Sequence, residues 1–148
     1  MTAVQSLYAA AAVPLLVFAG IAGPHPRTSA AAAVTAGVAV AIVLYLVFAR
    51  SASRPPRRLA LPATIGAVSE EIVWRWGALA GTAPFIGWPG AFALSTVVFA
   101  GTHTRTATLA YIVIGGAFAA VFLATGQLVA AIAAHGGYNL LVLLWRRP

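Results

Sequence analysis

Long apolar runs, broken by short clusters of Pro, Gly and Arg, set the pattern of this chain. An apolar run of about 20 residues is long enough to cross a bilayer as a helix. The pattern predicts six such spans, at 3–22, 29–49, 60–81, 88–105, 107–125 and 127–145. Pro24 and Pro26 separate the first from the second. The segment from Arg50 to Arg58 is a polar linker, and Pro62 suits the first turn of the third helix. Gly81, Pro84, Gly87, Pro89 and Gly90 divide the third span from the fourth, and Gly126 and Gln127 mark the last turn. The first run lacks a basic start and is longer than the core of a signal peptide, so it is expected to remain as a span.

Composition turns this pattern into a class. Of 148 residues, 61% are hydrophobic and 7% charged, with a mean hydropathy of +0.94, which is outside the soluble globular range. The expectation is an all-α, polytopic helix bundle in the cell membrane. It forms one transmembrane domain over residues 1–148, with the lipid bilayer as its surroundings. The net charge of +7 comes from arginine, since the chain has no lysine. In a soluble protein such basicity would suggest nucleic acid, but here the arginines flank spans and no nucleic-acid partner is expected. Arg50, Arg54, Arg57, Arg58, Arg105, Arg146 and Arg147 fall on one side and Arg27 on the other, which by the positive-inside rule puts both termini in the cytoplasm. Without lysine there is no Schiff base or P-loop, and without cysteine there is no disulfide or thiolate nucleophile.

Chemistry must then come from very few side chains. Glu70 and Glu71 are the chain's two acidic residues, and with Arg75 they lie inside an apolar span. An ionisable group at that depth costs about 2.5–3.5 kcal/mol on insertion scales and marks function by default. Two further pairs share the four-residue spacing that puts side chains on one helix face: Phe99 with His103, and His135 with Asn139. Glu71 is placed to pair with Arg75, while Glu70 points about 100° away without that partner. Desolvation and the nearby cation act on Glu70 in opposite senses, a balance that suits a general base near neutral pH. His135 and Asn139 can supply two donors to a developing oxyanion. His103 can hold a water against Glu70 or bind a metal. The structural alternative is that the ion pair offsets its own burial and the polar pairs join helices. His25, in a Pro-rich loop, is assigned no role.

Elimination narrows the reaction. The chain has no aspartate for an aspartyl protease, no His-Glu-x-x-His helix for a common zinc protease, and no Gly-x-Ser-Gly. Water activation by glutamate and histidine survives. The three motifs Glu-Glu-x-x-x-Arg, Phe-x-x-x-His and His-x-x-x-Asn, in this order within residues 70–139, resemble the CPBP family of intramembrane proteases. That family comprises type II CAAX prenyl endopeptidases and bacterial relatives linked to bacteriocin processing or self-immunity. The chain is shorter than the family's common eight-helix core by about two spans.

The resemblance implies an intramembrane endopeptidase acting on a peptide or membrane-protein substrate. In it Glu70 would activate water with help from His103, His135 and Asn139 would stabilise the oxyanion, and Glu71 and Arg75 would support them. Glu70, His103 and His135 also make a ligand set that zinc accepts. A metal-independent water is favoured because Asn139 beside His135 suits an oxyanion better than metal support. The competing expectations are a non-catalytic immunity or chaperone-like membrane protein of the same family, and a small proton-coupled transporter. The absence of an inverted repeat weighs against the transporter.

Overall fold

A computed structural model describes residues 10–11, 23–49, 60–103 and 108–144. All of the first expected span but residues 10–11, the polar linker, and Arg105, Arg146 and Arg147 lie outside them. The described residues form helices and connecting turns, with no strand among them.

Helix α1, Ala30–Phe48, starts where Ser29 takes an extended conformation and its hydroxyl accepts the Ala32 N–H at 3.2 Å, leaving one fewer orphan donor in the first turn. Its alanine-rich sequence favours the helix, since alanine loses no side-chain entropy on folding. Helix α2, Ala60–Glu71, carries Pro62 in its first turn, as expected. It continues without a break into a π-helical stretch, Ile72–Ala80. The sequence predicted an ordinary α-helix here. The difference is one of hydrogen-bond register, since π-helical turns are wider and pair residues five apart.

Helix α3, Gly81–Gly101, bends at Gly87, whose φ of 71° and ψ of 162° lie outside the helical region. The reversal between the third and fourth spans is therefore confined to this glycine, and helix runs on through Gly81 and Pro84, which the sequence had placed in the break. Beyond Gly87 the chain folds back along the π stretch, bringing Ser95 against Trp74 and Arg75. Helix α4, Thr108–Thr125, ends in Gly126 at φ 69°, whose N–H reaches the Phe122 carbonyl at 2.8 Å, a left-handed stop that glycine takes without strain. Helix α5, Leu128–Leu144, follows. The turn between them is tied to the segment ahead of α1: Arg27 N–H donates to Thr125 at 2.9 Å, and the Gln127 amide donates to Thr28.

Packing depends on small residues. A Cβ on Gly37 of α1 would collide with the Ala130 carbonyl and the Ala133 side chain, and one on Gly137 of α5 would touch Ala41 at 3.0 Å. Small residues on both sides thus let α1 and α5 approach backbone to backbone, the way helices associate where lipid supplies no hydrophobic drive. Trp74, Phe99, Phe118, Leu44 and Ala134 form one buried cluster, and Leu79, Phe122, Ala91 and Ala131 another. The outward faces are apolar as well: Val34, Val38, Ile42, Val43, Leu46 and Val47 of α1 are all exposed. A helix that is apolar all round is suited to lipid rather than water. Ala30–Phe48, Pro62–Gly101 and Thr108–Thr125 are long and apolar enough to cross a membrane, and Leu128–Leu144 is a shorter apolar helix.

Candidate active site

The polar residues singled out by spacing come from three helices. The junction of α2 with its π continuation supplies Glu70, Glu71 and Arg75, α3 supplies Phe99 with His103 in the bend just past its end, and α5 supplies His135 and Asn139.

Glu71 and Arg75 sit at the centre and are fully buried. Arg75 Nε donates to Glu71 Oε2 at 2.8 Å. Arg75 Nη1 donates to Ser95 Oγ at 3.1 Å, and that hydroxyl in turn donates to the Trp74 carbonyl at 2.8 Å. The guanidinium also lies 5.2 Å from the centre of the Phe99 ring. The second oxygen of the carboxylate, Oε1, meets His135 Nδ1 at 2.8 Å. Both oxygens of Glu71 are therefore engaged. A buried charge is tolerated only when paired and hydrogen-bonded in this way.

His135 is held on its faces as well as at its nitrogen. Its ring stacks on Phe118, with centroids 4.8 Å apart and 19° between planes, and stands edge-on to Phe99 at 6.0 Å. His103 stacks on Tyr111 at 4.3 Å and lies tilted against Phe99 at 4.5 Å, with 43° between planes. Its Nδ1 lies 2.8 Å from the Phe99 carbonyl. A carbonyl only accepts, so this nitrogen carries the proton and donates, and in the neutral ring Nε2 is left as an acceptor.

Glu70 has a different setting. Its Oε2 is buried and has no hydrogen-bond partner among the described residues. His135, His103, Glu71 and Arg75 all lie within electrostatic reach of its carboxyl group. A buried oxygen left open in this way calls for an explanation. Asn139 shares the α5 face of His135, but its amide donates toward the Ala63 carbonyl of α2 at a long 3.4 Å. In this arrangement His135 Nδ1 and the Asn139 amide point to different partners, and Nε2 is the ring atom still open to another group.

Zinc needs three protein ligands at about 2.0–2.2 Å. Among the described residues no three His, Asp or Glu side chains are grouped to hold a metal ion. Glu70, His103 and His135 therefore do not fit such a ligand set here.

Two participants escaped the spacing argument. Ser95 lies four residues before Phe99 and eight before His103, so it continues their stripe along α3, and a hydroxyl on that stripe is a readable signal. Tyr111 has no comparable signal, since only the tertiary fold brings it against His103. His25 stays apart from the cluster. It lines a separate cavity of about 790 Å³ with Arg27, Trp88 and Leu123, and none of the clustered polar residues lines it.

Residues 52–141 match the family model described as type II CAAX prenyl endopeptidase Rce1-like, a stretch that contains every clustered polar residue named above. Neither the curated proteins nor the solved structures contain a match to the chain.

Proposed function

Since the chain belongs to the Rce1-like family of type II CAAX prenyl endopeptidases, we propose that it hydrolyses a peptide bond inside the membrane with a water activated by Glu70. The water sits between the open Oε2 of Glu70 and Nε2 of His103. As it attacks the scissile carbonyl carbon, its proton passes to Glu70, and the carbonyl electrons move onto oxygen. The N–H that His135 carries at Nε2 in its doubly protonated form, with Glu71 as counter-ion, and the Asn139 amide then donate to that oxygen, Asn139 exchanging its long contact with Ala63 for a charge-assisted one. Glu70 returns the proton to the departing amine as the C–N bond breaks. Glu71 and Arg75 hold the framework. The observation that carries this reading is the division of labour between adjacent carboxylates: Glu71 has both oxygens occupied, while Glu70 keeps a buried oxygen free. A structural ion pair needs the first glutamate and gives no reason for the second.

The direct test offers the purified protein a farnesylated C-terminal CAAX peptide and its unprenylated counterpart, with products read by mass spectrometry. Cleavage of at least one is expected, and it should persist after chelator treatment that leaves no transition metal by elemental analysis. Loss of activity on stripping, with rescue by about one equivalent of zinc, would replace the glutamate-activated water by a metal-assisted one.

The same reading places six spans in the membrane with both termini in the cytoplasm, on the strength of the arginine asymmetry. A reporter fused after Arg147 should be cytoplasmic, and a tag inserted at the Gly87 reversal should be labelled from outside. External labelling of the segment 51–57 would invert the topology and move cleavage to the other leaflet.

A further inference from the structure

Glu71 has so far been counted only as the partner of Arg75, yet it spends its other oxygen on His135. That contact spans 64 residues of sequence, from the end of α2 to the middle of α5. A carboxylate paired with a guanidinium has no proton to give, and Arg75 Nε donates to Glu71 Oε2 at 2.8 Å. The proton in the contact therefore belongs to His135 Nδ1. The Phe118 stack and the Phe99 edge fix the plane of the ring, and the bond from Nδ1 to Glu71 sets which edge faces the carboxylate.

We infer that Glu71 is a positioning residue that keeps the proton of His135 on Nδ1 and turns Nε2 alone toward the reacting groups. The proposal rests on the peptidase reading for its consequence, though not for its geometry. A neutral ring held this way offers a lone pair at Nε2. Only the doubly protonated ring offers an N–H there, and Glu71 is then its counter-ion. An oxyanion role for His135 thus requires the carboxylate that Glu71 provides. The same arrangement of a buried carboxylate behind an imidazole fixes tautomer and orientation in hydrolytic triads.

The chain has three histidines, His25, His103 and His135, so ring signals of the full-length protein labelled with ¹⁵N-histidine in detergent micelles are assignable. His25→Gln and His135→Gln identify two sets and leave His103 as the third. Long-range ¹H–¹⁵N correlations should show His135 Nδ1 protonated in the wild type. Glu71→Met/Arg75→Met, which removes both charges at similar volume, should abolish that preference. Glu71→Asp keeps a charge for Arg75 but withdraws the carboxylate, and should weaken the signature without loss of fold. Glu70→Gln should leave it in place. A bare Nδ1 in the wild type would overturn the assignment, as would an unchanged signature in Glu71→Asp, or a shift in Glu70→Gln as large as that in the double variant. The readout is the ring, not turnover. Failure of the peptidase reading at Glu70 and failure of this inference are therefore separate results.

Discussion

Glu70→Gln should lower peptide cleavage by about 10²–10⁴-fold, the usual range for a lost general base, while accumulation in the membrane stays near wild type. The amide keeps the shape of the side chain, so packing is undisturbed. Oε2 has no hydrogen-bond partner among the described residues, so no internal bond at that atom is lost. What disappears is the ability to take a proton from water. The effect should fall on kcat rather than KM, because water activation is a feature of the transition state and not of substrate binding. Turnover at the wild-type rate in Glu70→Gln would remove Glu70 from the mechanism. A loss of accumulation matching the loss of activity would make it a folding residue instead.

Helix positions were the most legible part of the sequence. The expected spans 29–49, 107–125 and 127–145 became Ala30–Phe48, Thr108–Thr125 and Leu128–Leu144. Each is delimited by a local device written in the sequence, such as the Ser29 cap or the left-handed Gly126. The third and fourth spans were less legible. Their division rests on one backbone conformation at Gly87, and a cluster of five Gly and Pro residues does not say which of them turns. The π stretch left no mark at all, because a change from four-residue to five-residue pairing alters neither hydropathy nor composition.

The site divides along similar lines. The Glu71–Arg75 bond follows from spacing within one helix, and so does the exclusion of Glu70 from it. Contacts between helices do not follow. Spacing grouped His135 with Asn139 on α5, but which neighbour each would meet depended on how α5 packs against α2. That packing gives His135 to Glu71 and leaves Asn139 a long contact with Ala63. The aromatic surround of Phe99, Phe118 and Tyr111 was equally out of reach, since aromatic residues in an apolar span read as ordinary packing until the imidazoles are seen between them.

Glu71→Ala should be the most destabilising single change in the cluster. It leaves the guanidinium of Arg75, wholly buried, with Ser95 Oγ and the Phe99 ring but no counter-charge, and it takes the acceptor from His135 Nδ1. Removing one partner of a buried ion pair costs about 3–5 kcal/mol, a large share of the roughly 5–15 kcal/mol by which a typical domain is stable. The expected result is a steep fall in membrane accumulation and a lowered midpoint in thermal unfolding of the detergent-solubilised protein. Glu71→Met/Arg75→Met provides the counter-test. With both charges gone, nothing ionised is left stranded at the pair, and methionine fills irregular space well, so accumulation should return toward wild type. Activity should not return with it, because His135 has lost the carboxylate that orients it. A Glu71→Ala protein that accumulates and melts like wild type would show that Arg75 finds its compensation elsewhere, and the pair would then lose its structural role.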